Sequence, residues 1–401
     1  MNGRVLTRLA FPGALLIATL LPAADEPALF QEIGEMQASL TSITGLPFKR
    51  SVPYSVINKD QLRRYLEDRV KPDELRAEEL TLKMLGMLPQ EFDLRQTAVD
   101  LVTEQAAAFY DYNKKKLFLL SATGADDRIA LVHELAHALA DQHFHLAKYI
   151  HEGLRSDDGS TARLAVMEGQ ASWLMTAYLA KQTGGPLEVP DEIIDRMTRT
   201  IEESAAQYPV FAKAPPYIRE SLIFPYTAGM AFQNALYRKI GKQSFADVFT
   251  RPPTSTQQII HPDRYLAHAD PSLPKPPPLP SSHDFRKLAE GSLGELDYRV
   301  LLSQYTSQED GKPAAAHLTG SSYALLEHKR GKYPVLAFSS TWDSEAAAGR
   351  YVELYRRVMK GKWKSLETLS DTPKRLEGQG DSGRFALWID GTTVNQIEGL
   401  H

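Results

Sequence analysis

Two histidines and one glutamate stand close together in the segment LVHELAHALADQHF, residues 131–144. His133 and His137 are four residues apart, so on an α-helix they lie on one face about one turn from each other. Both imidazoles can then be presented to one ion, and neutral imidazole nitrogens suit Zn²⁺. Glu134 projects to the side of that face, where it can exchange protons with a water held by the ion. The spacing therefore predicts a catalytic site for one zinc ion, with Glu134 as its general base.

The surroundings of this motif favour a buried helix over an exposed one. The segment contains no proline, and the residues between and beside the three polar groups are uncharged: Leu131, Val132, Leu135, Ala136, Ala138 and Leu139. Burying a His-Glu-His set without partners would be costly. A surface helix with incidental histidines is the alternative, and it fits this apolar setting badly.

A catalytic zinc site also needs a third protein ligand, and the chain contains no cysteine. The ligand must therefore be His, Asp or Glu, and the candidates downstream are His143, His145, His151, Glu152 and Glu168. Glu168 is favoured because it lies in RLAVMEGQASWLM, where a carboxylate among apolar residues needs a partner. His143 would point away from the metal-facing side of a continuous helix. The alternative for Glu168 is a position on a solvated face.

Mainly helical elements are predicted around these residues, and the order of patterns indicates an α+β fold. A β-hairpin is predicted just upstream, from the apolar runs 106–110 and 117–120 on either side of the turn-prone DYNKKK. Asp126 or Asp127 can cap the helix that carries the motif. The other elements expected in this half are helices at 27–47, 59–69, 73–88, 162–181, 190–204 and 226–239, a strand at 51–57, and loops at 151–154 and 156–161.

The whole constellation resembles the gluzincin metallopeptidases, the thermolysin-like clan. HELAH corresponds to the HExxH motif, and Glu168 in EGQA to the ligand glutamate on a following helix. The hairpin AAAFYDYNKKKLFLL is similar to the clan's edge strand, which receives the substrate backbone. TEQAAAFYD, HELAHALADQHF, MEGQA and PPTSTQQIIHP are also similar to a family of bacterial secreted proteins that carry this motif. The resemblance covers residues 56–266 and implies a zinc-dependent metallopeptidase with a peptide or protein substrate.

One departure from the clan concerns the groups around the zinc histidines. Thermolysin-like sequences usually carry an aspartate three or four residues after the ligand glutamate, where this chain has Ala171 and Ser172. The carboxylate that would orient the histidines is therefore unassigned. A peptidase also needs a hydrogen-bond donor for the oxyanion. Tyr226 in FPYTAGMAF and His261 in TSTQQIIHPDRY are the candidates, and each can equally be structural.

The chain divides into four predicted parts. Residues 1–24 read as a secretory signal peptide, because Arg4 and Arg8 precede an apolar run and a small-residue stretch. Residues 25–269 would form the zincin-like catalytic domain. The segment 270–283, which contains DPSLPKPPPLPSS, is a proline-rich linker or surface strap. Strand patterns at 321–329, 333–340, 384–390 and 392–399, with an amphipathic helix at 344–359, predict a small accessory α+β domain at 284–401.

The signal peptide and the composition indicate a cellular compartment and exclude one class of partner. The signal peptide predicts export to the periplasm or beyond, and no later segment has the apolar length of a membrane helix; an uncleaved anchor is the alternative. Charged residues make up 24% of the chain and its net charge is −4, which argues against a nucleic-acid partner. Two other functions stay open: a non-catalytic zinc-binding protein and a zinc hydrolase of non-peptide substrates. The oligomeric state is not predicted.

Overall fold

A computed structural model describes most of the chain after the predicted signal peptide. The α+β class expected from the sequence is confirmed. The signal peptide at 1–24 lies outside the described residues. Within those residues, no helix combines the length and apolarity that a membrane crossing requires. The described residues are 32–67, 72–105, 108–120, 127–154, 156–185, 187 and 189–401.

The first part of the chain is mainly helical, with one small sheet. Its strands are β1 (Tyr54–Ile57), β2 (Ala108–Asp111) and β3 (Lys116–Leu120). Its helices are α1 (Ile33–Thr44), α2 (Lys59–Glu67), α3 (Pro72–Leu85), α4 (Leu94–Gln105), α5 (Asp127–Phe144), α6 (Leu146–Gly153), α7 (Asp157–Gln182), α8 (Asp191–Ala206), α9 (Pro209–Lys213), α10 (Pro216–Ile240), α11 (Ser244–Thr250), α12 (Thr256–Ile260) and α13 (Pro262–Leu266).

The second part contains a seven-stranded antiparallel sheet with helices against it. The strand order is β4-β5-β6-β10-β9-β8-β7. The strands are β4 (Phe285–Gly291), β5 (Leu318–His328), β6 (Pro334–Trp342), β7 (Leu366–Thr372), β8 (Arg375–Gly380), β9 (Gly383–Asp390) and β10 (Thr393–Leu400). The helices are α14 (Glu295–Tyr305), α15 (Gln308–Ala315) and α16 (Glu345–Lys362).

The hairpin predicted upstream of the motif is present in the small sheet. Strands β2 and β3 pair antiparallel, and β1 pairs parallel with the other side of β3. Strand β2 is thus an edge of this sheet among the described residues, and it packs against helix α5. The hairpin places Tyr110 beside the motif helix.

The proline-rich segment packs as a strap on the large sheet. The Ser272 amide donates to the Thr319 carbonyl at 2.8 Å, and Leu279 packs with Val335 and Ala337 of β6. The alternate residues of β6, which include Phe338, belong to the main core on the opposite face. The segment thus lies along the large sheet as a surface strap.

The two parts share one hydrophobic core. The largest cluster of buried side chains includes Leu85 and Phe232 from the first part and Leu302 and Tyr355 from the second. This core contains residues from both sides of the linker predicted at 270–283. The division into a catalytic and an accessory domain therefore stays a prediction.

Two loops predicted from the sequence are wrong. The SDDGST stretch begins helix α7, because Ser156 caps the helix and accepts a hydrogen bond from the Gly159 amide at 3.1 Å. Asp157 and Asp158 are buried against partners from other elements, including Tyr323, whose hydroxyl donates to Asp157 at 2.8 Å. The first three residues of the HEGL stretch, 151–153, likewise belong to helix α6, and Leu154 is its C-cap.

Candidate metal centre

Two helices supply the predicted metal ligands. Helix α5 carries His133, Glu134 and His137, and helix α7 carries Glu168. Both helices are apolar around these positions, so they pack against each other and bury the polar groups between them. The side chain of Glu168 is completely buried, whereas the His133 imidazole keeps 8% of its surface exposed. The third ligand expected from the sequence thus lies beside the histidine pair.

The three candidate ligand atoms form a small triangle. Nε2 of His133 lies 3.1 Å from Oε2 of Glu168, and Nε2 of His137 lies 3.4 Å from the same oxygen. The two Nε2 atoms are 3.1 Å apart. Ligands held tetrahedrally about 2.0–2.1 Å from a zinc ion would be roughly 3.3–3.4 Å from one another. The triangle has the size that such an ion requires, and these residues could hold a metal ion.

The hydrogen-bonding capacity of the site also fits a bound cation. Oε1 of Glu168 and Oε2 of Glu134 are both buried without a hydrogen-bond partner among the described residues. Leaving buried polar groups unsatisfied is costly. Two facing imidazole nitrogens can share only one proton between them, whereas a cation would satisfy both nitrogens and the carboxylate together. The donor set of two imidazoles and one carboxylate is one that zinc sites use.

The electrostatics favour the protonation states that metal ligands need. Burial lowers the pKa of His133, which keeps its imidazole neutral. Burial alone would raise the pKa of Glu168, but the facing imidazoles of His137 and His133 hold it below its usual range. A neutral imidazole and an ionised carboxylate are the forms that coordinate a cation.

Glu134 lies beside the triangle in a different environment. Burial, and then the negative charge of Glu168, raise the pKa of the Glu134 carboxyl well above its usual range. A backbone hydrogen bond from Tyr110 on the edge strand β2 partly opposes that shift. A raised pKa makes this carboxylate a stronger base than an exposed glutamate. Tyr110 was not singled out from the sequence, although its place in a hairpin strand next to the motif was the available signal.

The structure separates the two candidates for the oxyanion donor. The ring of Tyr226, on helix α10, stacks on His133 with 6.1 Å between the ring centroids. His261, at the end of α12, instead contacts Glu295 on α14, with its Nε2 3.0 Å from both carboxylate oxygens. Tyr226 therefore lies at the triad, and the described contacts of His261 tie it to a different part of the molecule.

The other ligand candidates lie outside the triad. His143 donates to the Pro47 carbonyl at 2.8 Å, and His145 precedes α6 with a left-handed backbone. Glu152 lies within ion-pair distance of Lys148 and Arg163, and His151 lies near the end of α6. None of the four joins the triad in the part of the chain that the structure describes.

Residues at the end of helix α5 form hydrogen bonds with neighbouring elements. Asp141 accepts hydrogen bonds from the hydroxyl of Tyr110 at 2.8 Å and from the Lys115 ammonium at 2.7 Å. The side-chain amide of Gln142 bonds the backbone of Lys49 and Arg50. These contacts fix the hairpin and the segment before β1 relative to the motif helix.

Comparisons of this chain with family models, with curated proteins and with solved structures find no match. The resemblance to gluzincin metallopeptidases consequently stays a prediction. It rests on the motif residues themselves and on the positions in which the fold holds them.

Proposed function

We propose that this protein is an exported zinc-dependent metallopeptidase of gluzincin type. The observation that carries the proposal is the buried triangle of His133, His137 and Glu168, with the unpartnered carboxyl oxygen of Glu134 beside it. A zinc ion bound there would act as a Lewis acid that polarises a carbonyl oxygen and acidifies water. Export follows from the predicted signal peptide and is part of the proposal.

The protein residues around the ion would have distinct roles in hydrolysis. Glu134 takes the proton of the attacking water and returns it to the leaving amine, as its raised pKa suits. The hydroxyl of Tyr226 donates to the oxyanion, which its place against His133 favours over His261. The low exposure of the site excludes bulk water and strengthens these electrostatic interactions.

The edge strand β2 is the candidate for binding the substrate backbone. It packs against helix α5, and the backbone of Tyr110 already reaches Glu134. An extended peptide pairing along this edge would bring its scissile carbonyl towards the triad. This agrees with the substrate position that the resemblance implies, and it favours peptides over compact non-peptide substrates.

The proposal is tested by replacing the general base while the ligands are kept. Glu134→Gln should lower hydrolysis of a peptide library by about a thousand-fold, since general-base catalysis contributes roughly 10²–10⁴. Its zinc content should equal that of the wild type, because Glu134 is not a ligand. Glu203→Gln on α8 is the matched control, since Glu203 is exposed and should leave turnover unchanged.

Three results would contradict the proposal. Wild-type activity in Glu134→Gln would remove Glu134 from the mechanism. A zinc-loaded wild type that turns over no peptide would favour the non-catalytic binding protein. Turnover of esters alone would favour a zinc hydrolase of non-peptide substrates.

A further inference from the structure

A second cavity, of about 480 Å³, lies where the two parts of the chain meet. Helices α10, α12 and α14 form its walls, and the neighbouring residues Gln308 and Lys312 belong to α15. Its volume is within the range of pockets that hold small organic ligands. Nothing in the proposed peptidase mechanism uses this space.

The cavity is on the opposite side of helix α10 from the metal centre. Pro216, Glu220, Phe224, Ala228 and Phe232 line it at intervals of four residues, which places them along one face of the helix. Tyr226 follows Phe224 by two residues, or about 200° around the helix, and faces His133. A ligand in the cavity would therefore be separate from a substrate at the triad.

Five large apolar side chains form one part of the cavity lining. They are Phe224, Phe232, Ile259, Leu296 and Val300, and each also packs into the main core. An apolar ligand body would exchange water for these side chains, which favours binding. The wall helices pack into the main core, so the space is already formed without a ligand.

The charged groups at the cavity have an excess of positive charge. Arg219 and Lys312 both line it, and neither forms an ion pair within the described ranges. The acidic residue there, Glu220, interacts electrostatically with both. Arg299 also lines the cavity but is neutralised by Glu295, 2.6 Å away. A second acid, Glu202, lies within electrostatic range of Glu220 but does not line the cavity. An anion placed between Arg219 and Lys312 would be attracted by both cations.

We infer that this cavity is a binding site for a ligand with an apolar body and a carboxylate head. The body would lie against Phe224 and Phe232, and the carboxylate between Arg219 and Lys312. Free fatty acids and the C-termini of apolar peptides share this chemistry. The inference does not depend on peptidase activity, because the site is distinct from the triad.

Isothermal titration calorimetry with two matched pairs of probes tests the inference. Octanoate is compared with 1-octanol, and the blocked peptide acetyl-Ala-Leu-Phe with its C-terminal amide. The titrations use the full mature chain carrying Glu134→Gln, so that hydrolysis does not consume the peptide. At least one carboxylate probe should bind about ten-fold more tightly than its uncharged counterpart, with a negative heat-capacity change.

Charge variants show whether binding occurs at this cavity. The double variant Arg219→Gln/Lys312→Gln should bind the carboxylate probe about ten-fold more weakly, because two ion pairs are lost. Lys213→Gln is the control, since Lys213 is exposed on nearby α9 and does not line the cavity. Both replaced cations are at the rim, so the double variant should fold normally.

Each outcome decides the question. Binding of octanoate identifies a fatty acid as a ligand of the site, and binding of the free-acid peptide alone identifies a peptide C-terminus. The inference is overturned if neither carboxylate binds, if the uncharged probes bind equally well, or if the double variant binds like the wild type.

Discussion

At the scale of single residues, the metal triad is where sequence and structure agree most closely. The four-residue spacing of His133 and His137 fixes their shared face on any helix, so one turn of sequence was enough to predict the pair. Glu168 lies 35 residues away in sequence, yet its type and apolar neighbours marked it as a carboxylate in need of a partner. The structure brings it within 3.1 Å of His133.

The role of His261 could not be predicted from its local sequence. A histidine before a proline could serve catalysis or a turn, and only the fold reveals Glu295 as its partner. Glu295 lies in a helix that was not predicted, 34 residues further along the chain. Pairings of this length depend on how helices are arranged in space, which no local pattern specifies.

The hydroxyl of Tyr226 provides a test at this scale. Tyr226→Phe keeps the ring that stacks on His133 and removes the hydroxyl that we propose as the oxyanion donor. We expect kcat to fall by about 10²-fold or more with KM little changed, as for other losses of an oxyanion donor. Steady-state kinetics on one peptide substrate gives both constants. Tyr237→Phe on the same helix is the control, and equal kinetics in the two variants would rule out a catalytic role for Tyr226.

At the scale of elements, the close crossing of helices α7 and α10 positions the site. A Cβ atom on Gly169 would stand 2.0 Å from the carbonyl carbon of Gly229 on α10. The two backbones are therefore as close as glycine permits. Gly169 directly follows the candidate ligand Glu168, and Tyr226 is one turn before Gly229. The crossing thus sets the distance between the carboxylate and the tyrosine.

Adding one methyl group at this crossing should disturb both stability and metal binding. Gly169→Ala forces the helices apart, and overpacking of this kind costs about 1–3 kcal/mol in the free energy of unfolding. Denaturant unfolding and competitive zinc titration measure the two effects. Gly349→Ala in helix α16 is the matched control, because no atom lies near its added Cβ. It should be neutral or stabilising by about 0.5–1 kcal/mol. Equal behaviour of the two variants would show that the crossing is not tight.

The elements themselves were predictable where their local pattern was strong. The motif helix, the hairpin, β5, β6, β9, β10 and α16 were all predicted close to their observed positions. The first turn of α7 was missed because Asp, Gly and Ser are typical of turns, whereas burial against Tyr323 and Ser292 holds them in a helix. Strand β7 was missed because its residues are mostly polar and exposed.

At the scale of the whole molecule, a buried ion pair within the second part of the chain also contacts the first part. Nζ of Lys362 lies 2.6 Å from the carboxylate of Glu398, and both side chains are 3% exposed. The same ammonium donates to the Met84 carbonyl at 3.0 Å, and the Tyr355 hydroxyl donates to Glu398 at 2.6 Å. Burial lowers the pKa of Lys362, and the charge of Glu398 opposes that shift. The pair links α16 and β10 to the end of α3.

Breaking this pair from one side should destabilise the entire fold. Lys362→Met leaves a buried carboxylate without its cation and should cost about 3–5 kcal/mol in the free energy of unfolding. The double variant Lys362→Met/Glu398→Gln removes both charges and should recover most of that loss. Equilibrium denaturation of the wild type, both single variants and the double variant gives the coupling energy. A loss below about 1 kcal/mol for Lys362→Met would contradict the expected cost of a buried carboxylate without its cation.

The proposed function depends on one divalent ion bound by two imidazoles from α5 and one carboxylate from α7. Zinc K-edge X-ray absorption on the full mature chain, desalted after addition of one equivalent of zinc, measures this most directly. The predicted spectrum shows two imidazole nitrogens and carboxylate oxygen at about 2.0–2.2 Å in a four-coordinate shell. Loss of the zinc on desalting, or a shell of oxygen atoms without imidazole, would contradict the account.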